Sequence, residues 1–214
     1  ILMGMVKKNF VAELLSSVAL PFISIDTSSN PRIVLAAYAY CLYLYLDFSG
    51  YTDFAVGLSK ILKIEIPENF NNPFLARNPQ DFWSRWHISL SKWLYEYVFA
   101  PVYGFLLKIF KGEGKILMAG IAIFLTFAFS GVWHGDEARF VREGFYHASA
   151  LFIFVTFDGY MKKYRPGVRK KMRDSKWVAA VSTFVTFHYI VVSFMVFSLD
   201  FATLIKVGRR LIGV

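Results

Sequence analysis

The chain has 214 residues, 56% hydrophobic and 19% aromatic, with 23 phenylalanines and a formal net charge of +9. That apolar content exceeds what a water-soluble domain of this size carries and points to an integral membrane protein. The basic residues sit in connectors between apolar runs, which argues against nucleic-acid binding, and the single Cys41 excludes an internal disulfide or a cysteine-rich metal site.

The opening ILMGMVKKNF is no signal peptide, because its basic residues follow the apolar ones. The chain does not begin with Met, and a fragment lacking an N-terminal portion is expected. Residues 11–25 are apolar but interrupted by Glu13 and Pro21, which predicts a short or interfacial helix. After the turn-rich TSSNPR, residues 33–48 read as a membrane helix. From Thr52 the pattern changes. Phe54, Leu58, Ile61 and Leu62 share one helical face with Lys60 and Lys63 off it, predicting a separate helix at the membrane surface. Pro67, Pro73 and Pro79 then stop regular structure.

Asn78 as cap, Pro79 at the first position and Asp81 in the first turn predict a helix start. The helix predicted over 81–99 carries an aromatic stripe of Phe82, Trp86, Leu90, Trp93 and Tyr97, read first as packing or interfacial anchoring. A re-entrant or spanning segment follows at 98–110, then a connector with Lys108, Lys111 and Lys115, and a span at 116–134. The mixed connector GDEARFVREG leads into FYHASALFIFVTF. The stretch KKYRPGVRKKMRDSK (162–176) holds eight Lys or Arg and one Asp, and the last span is WVAAVSTFVTFHYIVVSFMVFSL. The positive-inside rule puts 108–115 and 160–176 in the cytoplasm and 135–143 outside, with His134 toward the outer half of the membrane. By this count the KVGRR tail falls on the outer side, against the rule. The expected fold is all-α, a single polytopic transmembrane domain over residues 1–214 with interfacial and re-entrant helices.

Four histidines, His87, His134, His147 and His188, are the candidates for chemistry. No two lie at i, i+4, so a zinc-protease motif is absent and no metal site is expected. His188 has only aromatic and aliphatic neighbours, predicting a hydrogen bond to a backbone carbonyl or a side chain, and His147 lies beside small residues where helices approach closely. Both read as structural. His134 is flanked by Gly131 and Gly135, with Trp133 as an apolar wall and Ser130 as a polar neighbour. This pattern fits either a general base in an apolar pocket or a buried structural histidine. The chain has no G-x-S-x-G elbow, phosphate loop or paired-carboxylate motif, which argues against a hydrolase, a nucleotide enzyme and a glycosidase.

LDFSGYTDFAVGLSKILKIEIPENFNNPF, FWSRWHISLSKW and SGVWHG, in that order, resemble the membrane-bound O-acyltransferase (MBOAT) family from about Leu46 onward. The blocks that carry chemistry span 46–98 and 129–135. The resemblance implies a chain about twice as long, with several N-terminal helices missing here. It implies that His134 is the catalytic histidine that deprotonates a hydroxyl, and that His87 is a second functional position, on the donor side. Trp83, Arg85, Trp86, Ser130 and Trp133 become the candidates for lining the substrate channel.

The tail TFVTFHYIVVSFMVFS and EGFYHA resemble the DltB-like branch, whose members look like donors of D-alanine to teichoic acid. The TD form of the first block is nearer the AlgI-like branch of polysaccharide O-acetyltransferases, of alginate or peptidoglycan type. The chain lacks that branch's L-G-G-N-R sequence. Asp136, Glu137 and Arg139 after WHG depart from the uncharged pattern of the first branch. The resemblance implies a multi-pass protein of the bacterial cytoplasmic membrane with no bound cofactor. Its donor would be a phosphopantetheine thioester on an acyl carrier protein, its acceptor a cell-envelope polymer, and its partners envelope proteins of the same pathway. A transporter using histidines as a proton relay and a non-catalytic envelope scaffold are the readings from other classes.

Overall fold

The computed structural model describes residues 1–20 and 23–213, and every regular element in them is a helix. Pro21, the interruption expected in the first apolar segment, lies outside the described residues. Three helices are long and apolar enough to cross a membrane: Asn30–Ile61, Lys115–His134 and Lys176–Ser198. The residues group into two compact units, one of Ile1–Phe70 with the residues from Ile190 onward, the other of Asn71–Tyr189.

In the first unit the opening helix starts at Leu2 rather than at residue 11. Helix α1 (Leu2–Val6), a π-helical turn (Lys7–Ala12) and α2 (Glu13–Ser16) follow one another directly. They pack on α3 (Asn30–Ile61) through a pair of glycines. A Cβ on Gly4 would stand 2.5 Å from the carbonyl oxygen of Gly50, and one on Gly50 would stand 2.8 Å from that of Gly4. The two backbones touch, as small residues allow between helices in lipid.

Helix α3 overturns the expectation of a span followed by a separate surface helix, because its 32 residues run through both. Two acids of this stretch pair with the opening helix. Lys7 Nζ lies 2.7 Å from Asp53 Oδ2, and Lys8 pairs with Asp47. At 1.5 Å per residue α3 is roughly 48 Å long, against a hydrocarbon core of about 30 Å. One end therefore extends beyond the apolar layer without any break in the helix.

The tail forms a further helix, α11 (Phe201–Ile212), that the sequence reading did not anticipate. Asp200 Oδ1 accepts the Thr203 N–H at 3.0 Å, and hydrogen bonding from Thr203 holds its carboxyl below the usual range. Arg210 donates to the carbonyls of Ile25 and Ser28, while Lys206 pairs with Asp26. Two cations of the tail are thereby committed to the loop before α3.

The second unit begins with a 3-10 turn (Pro73–Leu75) and α4 (Pro79–Trp83). Next come α5 (Ile88–Leu94), a π-helical turn (Tyr95–Phe99) and α6 (Ala100–Ile109). The expected span appears as α7 (Lys115–His134), and α8 (Ala138–Tyr164) and α9 (Pro166–Asp174) follow. Helix α10 (Lys176–Ser198) contributes its residues up to Tyr189 to this unit.

The predicted connector GDEARFVREG shrinks to Gly135–Glu137, because α8 already starts at Ala138. Glycines set the antiparallel packing of α7 on α8. A Cβ on Gly131 would meet the Phe140 carbonyl oxygen at 2.6 Å, one on Gly144 would meet that of Phe127 at 2.3 Å, and one on Gly120 would meet the Phe152 ring at 2.7 Å. The contact holds its register along the pair, and it requires 138–144 to be helical despite their charges.

Gly144→Ala should lower the unfolding free energy by about 1–3 kcal/mol, because backbone atoms cannot yield to the new methyl. Gly159→Ala on the same helix, with nothing within 4 Å of the added atom, should be neutral or gain about 0.5–1 kcal/mol. Thermal unfolding of the detergent-solubilised chain compares them, and equal midpoints would refute the close packing.

Candidate functional site

The predicted cap forms: Asn78 Oδ1 accepts the Asp81 N–H at 2.8 Å, and Pro79 opens α4. The helix predicted over 81–99, however, is broken. Helix α4 ends at Trp83, and His87 adopts a left-handed backbone (φ 45°, ψ 54°) before α5 begins. Such a conformation costs a non-glycine residue about 1–2 kcal/mol, so other contacts must hold it.

Arg85 supplies them. Its carbonyl accepts the Asn71 N–H at 2.9 Å, its Nη1 donates to the Asn71 carbonyl at 3.3 Å, and its Nε donates to Asp81 Oδ1 at 2.7 Å. The second oxygen of Asp81 accepts the Arg77 N–H at 2.9 Å. The preceding connector is thus tied across the break. The expected single aromatic stripe splits accordingly. Phe82 and Trp86 are buried and stacked 5.7 Å apart, whereas Trp93 and Tyr97 stack at 5.5 Å on the exposed side of the later segment.

His87 is half-buried and lines a cleft of about 370 Å³ with Ser89, Trp93, Phe129, Ser130 and Trp133. Burial pushes its imidazole down to about 4, with the nearby His134 acting in the same direction, so the ring is neutral at physiological pH. His134 is the last residue of α7 and is exposed. Its ring stands 5.0 Å from that of Trp133, nearly perpendicular, and 6.3 Å from that of Phe140. Gly135 turns the chain with φ 153°, and a Cβ there would meet the Phe140 ring at 2.7 Å.

The structure therefore brings His87, Ser130 and Trp133 to one cleft and sets His134 close enough to His87 for the two rings to interact electrostatically. Trp83 is separated from them. It lines a second, apolar cleft of about 320 Å³ with Thr126, Phe127 and Leu151, and Leu94 forms a wall of both clefts. Among the described residues nothing accepts the buried indole N–H of Trp83. Arg85 and Trp86 hold the break rather than line either cleft. Among the described residues no group of three His, Cys, Asp or Glu side chains is placed to hold a metal ion.

One cluster escaped the sequence reading. His147 is 1% exposed, with Nε2 2.8 Å from Glu143 Oε1 and Nδ1 bonded to the Tyr189 hydroxyl. The carboxylate accepts from Nε2–H, and the tyrosine hydroxyl engages the other ring nitrogen. Trp83 and Phe127 pack on the ring at 4.8 and 6.0 Å, and Tyr146 donates to the Tyr189 carbonyl at 3.1 Å. Glu143 is also near enough to His134 to act on it electrostatically. Glu143 and His147 stand at i, i+4, but the reading of 135–144 as a connector hid their shared helix. His188 Nδ1 lies 2.8 Å from the Phe184 carbonyl oxygen, a backbone partner of the kind expected.

With this geometry in place, the comparisons with known proteins agree. The sequence profile of the membrane-bound O-acyltransferase family matches residues 1–199. The chain belongs to that family, whose members are polytopic membrane proteins. It is 39% identical over 165 residues to a teichoic acid D-alanyltransferase of Bacillus subtilis, covering 77% of this chain and 40% of that protein. It is 31% identical over 212 residues to a teichoic acid D-alanyltransferase of Streptococcus thermophilus, covering 92% and 50%. It is 35% identical over 150 residues to the "Probable alginate O-acetylase AlgI" of Pseudomonas aeruginosa, covering 70% and 28%. The chain thus spans half or less of the length of each of these relatives.

Glu143→Ala should strand the buried His147 N–H and cost about 1–3 kcal/mol, while Glu143→Gln keeps an acceptor in place and should recover most of the loss. Thermal unfolding of the two variants in detergent tests this, and equal stabilities would remove the buried pair from the account.

Proposed function

We propose that the protein carrying this chain is an O-acyltransferase that moves a D-alanyl group from a thioester to a hydroxyl of an extracellular cell-envelope polymer such as teichoic acid. One observation carries the reading. Two histidines separated by 47 positions are brought close together at the end of a membrane helix, beside an open cleft with an aromatic wall. The similarity to two D-alanyltransferases supports the choice of acyl group and acceptor.

In this reading His134 is the general base. It takes the acceptor proton as the oxygen attacks the thioester carbonyl. The new C–O bond forms, the C–S bond breaks, and the leaving thiolate takes the proton back from the imidazolium. His87, neutral in its half-buried position, faces the donor, where an imidazole N–H polarises the acyl carbonyl. Ser130 and Trp133 shape the acceptor side, and Trp83 with its apolar cleft serves the donor side. Arg85 and Trp86 act by holding the break that presents His87. The donor is a phosphopantetheine thioester on an acyl carrier protein at the cytoplasmic face, and the polymer approaches from outside. A membrane-embedded site lets the two react without either crossing.

His134→Ala in the full-length protein should reduce acyl transfer by at least ~10²–10⁴-fold while the protein still assembles in the membrane. The assay follows transfer from an acyl-loaded carrier to polymer in membranes. Mass spectrometry of the product distinguishes an alanyl ester from the acetyl ester of the alternative reading. Near wild-type transfer in that variant would remove His134 from the chemistry, and no transfer by the wild type would leave the transporter or scaffold readings.

A further inference from the structure

The second unit has a basic cleft that acyl transfer does not use. It has a volume of about 300 Å³ and lies among the connector before α4, the end of α8, helix α9 and the first turns of α10. Arg77, Arg169 and Arg173 line it, with Asp158 as the carboxylate among them and Phe154 and Phe157 on its apolar wall. Arg169 and Asp158 neutralise each other through two parallel bonds, Nε to Oδ1 at 2.7 Å and Nη2 to Oδ2 at 3.0 Å. Arg173 makes only an exposed 3.5 Å contact with Asp174, and the Arg77 side chain has no partner among the described residues. Arg77, with Arg173 held only by that long, exposed contact, therefore offers guanidinium charge to a cleft whose third arginine is already fixed in place.

Guanidinium forks match phosphate oxygens in geometry and charge. The rest of the cleft says where such a phosphate would come from. Its apolar wall lies on α8, and its far side is the beginning of α10, which is a candidate membrane span. Trp177, in the first turn of that span, is 76% exposed, as an indole anchored at headgroup depth would be. The flanking segment adds Lys162, Lys163, Lys170 and Lys171 on the same side of the span. The cleft thus opens at the level of the lipid phosphates, with hydrocarbon-compatible rings below the charges.

We propose that this cleft binds the headgroup phosphate of an anionic phospholipid, held by Arg77 and Arg173 against the Arg169–Asp158 pair, with the acyl chains along Phe154 and Phe157. The site is independent of the acyl-transfer reading, because none of its charged residues lines either cleft beside the histidines, and only Gln80 is shared with the apolar one.

Native mass spectrometry of the full chain in detergent, titrated with phosphatidylglycerol, tests the proposal. R77Q/R173Q should weaken binding by at least about tenfold. K163Q/K171Q, which removes the same number of charges from the flanking basic segment outside the cleft, should change it by less than about twofold. Phosphatidylcholine should bind the wild type more weakly, and millimolar inorganic phosphate should not displace the lipid. Equal losses in the two double variants would show diffuse attraction and overturn the site. Displacement by inorganic phosphate would instead assign the cleft to a soluble phosphate and overturn the lipid. Should R77Q/R173Q fail to fold, R77K/R173K keeps the charge but loses the fork and should weaken binding about threefold or more; unchanged affinity there would overturn the assignment.

Discussion

A backbone that leaves the helix exposes polar groups that need new partners, and a buried break survives where the protein supplies them. Arg85 meets that condition here, with its carbonyl and guanidinium both bonded to Asn71 and its Nε to Asp81. The consequence for the site is geometric. In an unbroken helix Trp83 and His87, four residues apart, would share one face and open into one space. The left-handed turn at His87 sends them into different clefts, Trp83 toward Phe127 and His87 toward Ser130 and Trp133, with Leu94 between. A two-sided arrangement around one short helix follows from a single arginine's hydrogen bonds.

Helix packing supplies the second half of the site. Lipid gives apolar helices little reason to associate, so close contact depends on small residues that let backbones meet. Gly131 and Gly144 provide this between α7 and α8. The register they impose brings His134 against Phe140 and puts Phe127 over His147, one turn beyond Gly144. The buried Glu143–His147–Tyr189 set is therefore positioned by the same contacts that place the exposed His134. An added methyl at either glycine would disturb both.

The sequence revealed local chemistry well and tertiary context poorly. Asn78 and Pro79 announce a helix start because capping is decided by the residues themselves, and the structure has that cap. The spans at 116–134 and 176–198 were legible from length and apolar content. The break at His87 was not, because Phe82, Trp86, Leu90 and Trp93 keep helical spacing straight through it, while Asn71, the group that stabilises the break, lies in a distant connector. Helix α3 was divided in two because the stripe of Phe54, Leu58, Ile61 and Leu62, with Lys60 and Lys63 off it, reads as a surface helix, while the opening helix that pairs with Asp47 and Asp53 is not visible in the local pattern. The start of α8 was hidden by five charged residues, although Glu143 and His147 already stood at helical spacing. In the first two cases the misleading residue has its partner elsewhere in the chain, whereas in the third the partners are local and the charges alone misled.

His147 and His134 differ in their settings. His147 has both ring nitrogens engaged inside the protein, one by Glu143 and one by Tyr189. His134 stands at the exposed end of α7, and the charged residues that follow it are less disruptive than their count implies. Arg139 Nη2 lies 2.5 Å from Glu137 Oε1, and its guanidinium stacks over Phe140 at 5.0 Å. Phe140 in turn fills the space beside Gly135 and faces the His134 ring. Phe140 is thus shared by the ion pair, the turn and the His134 ring, and this cluster lets a charged rim coexist with an imidazole beside aromatic rings.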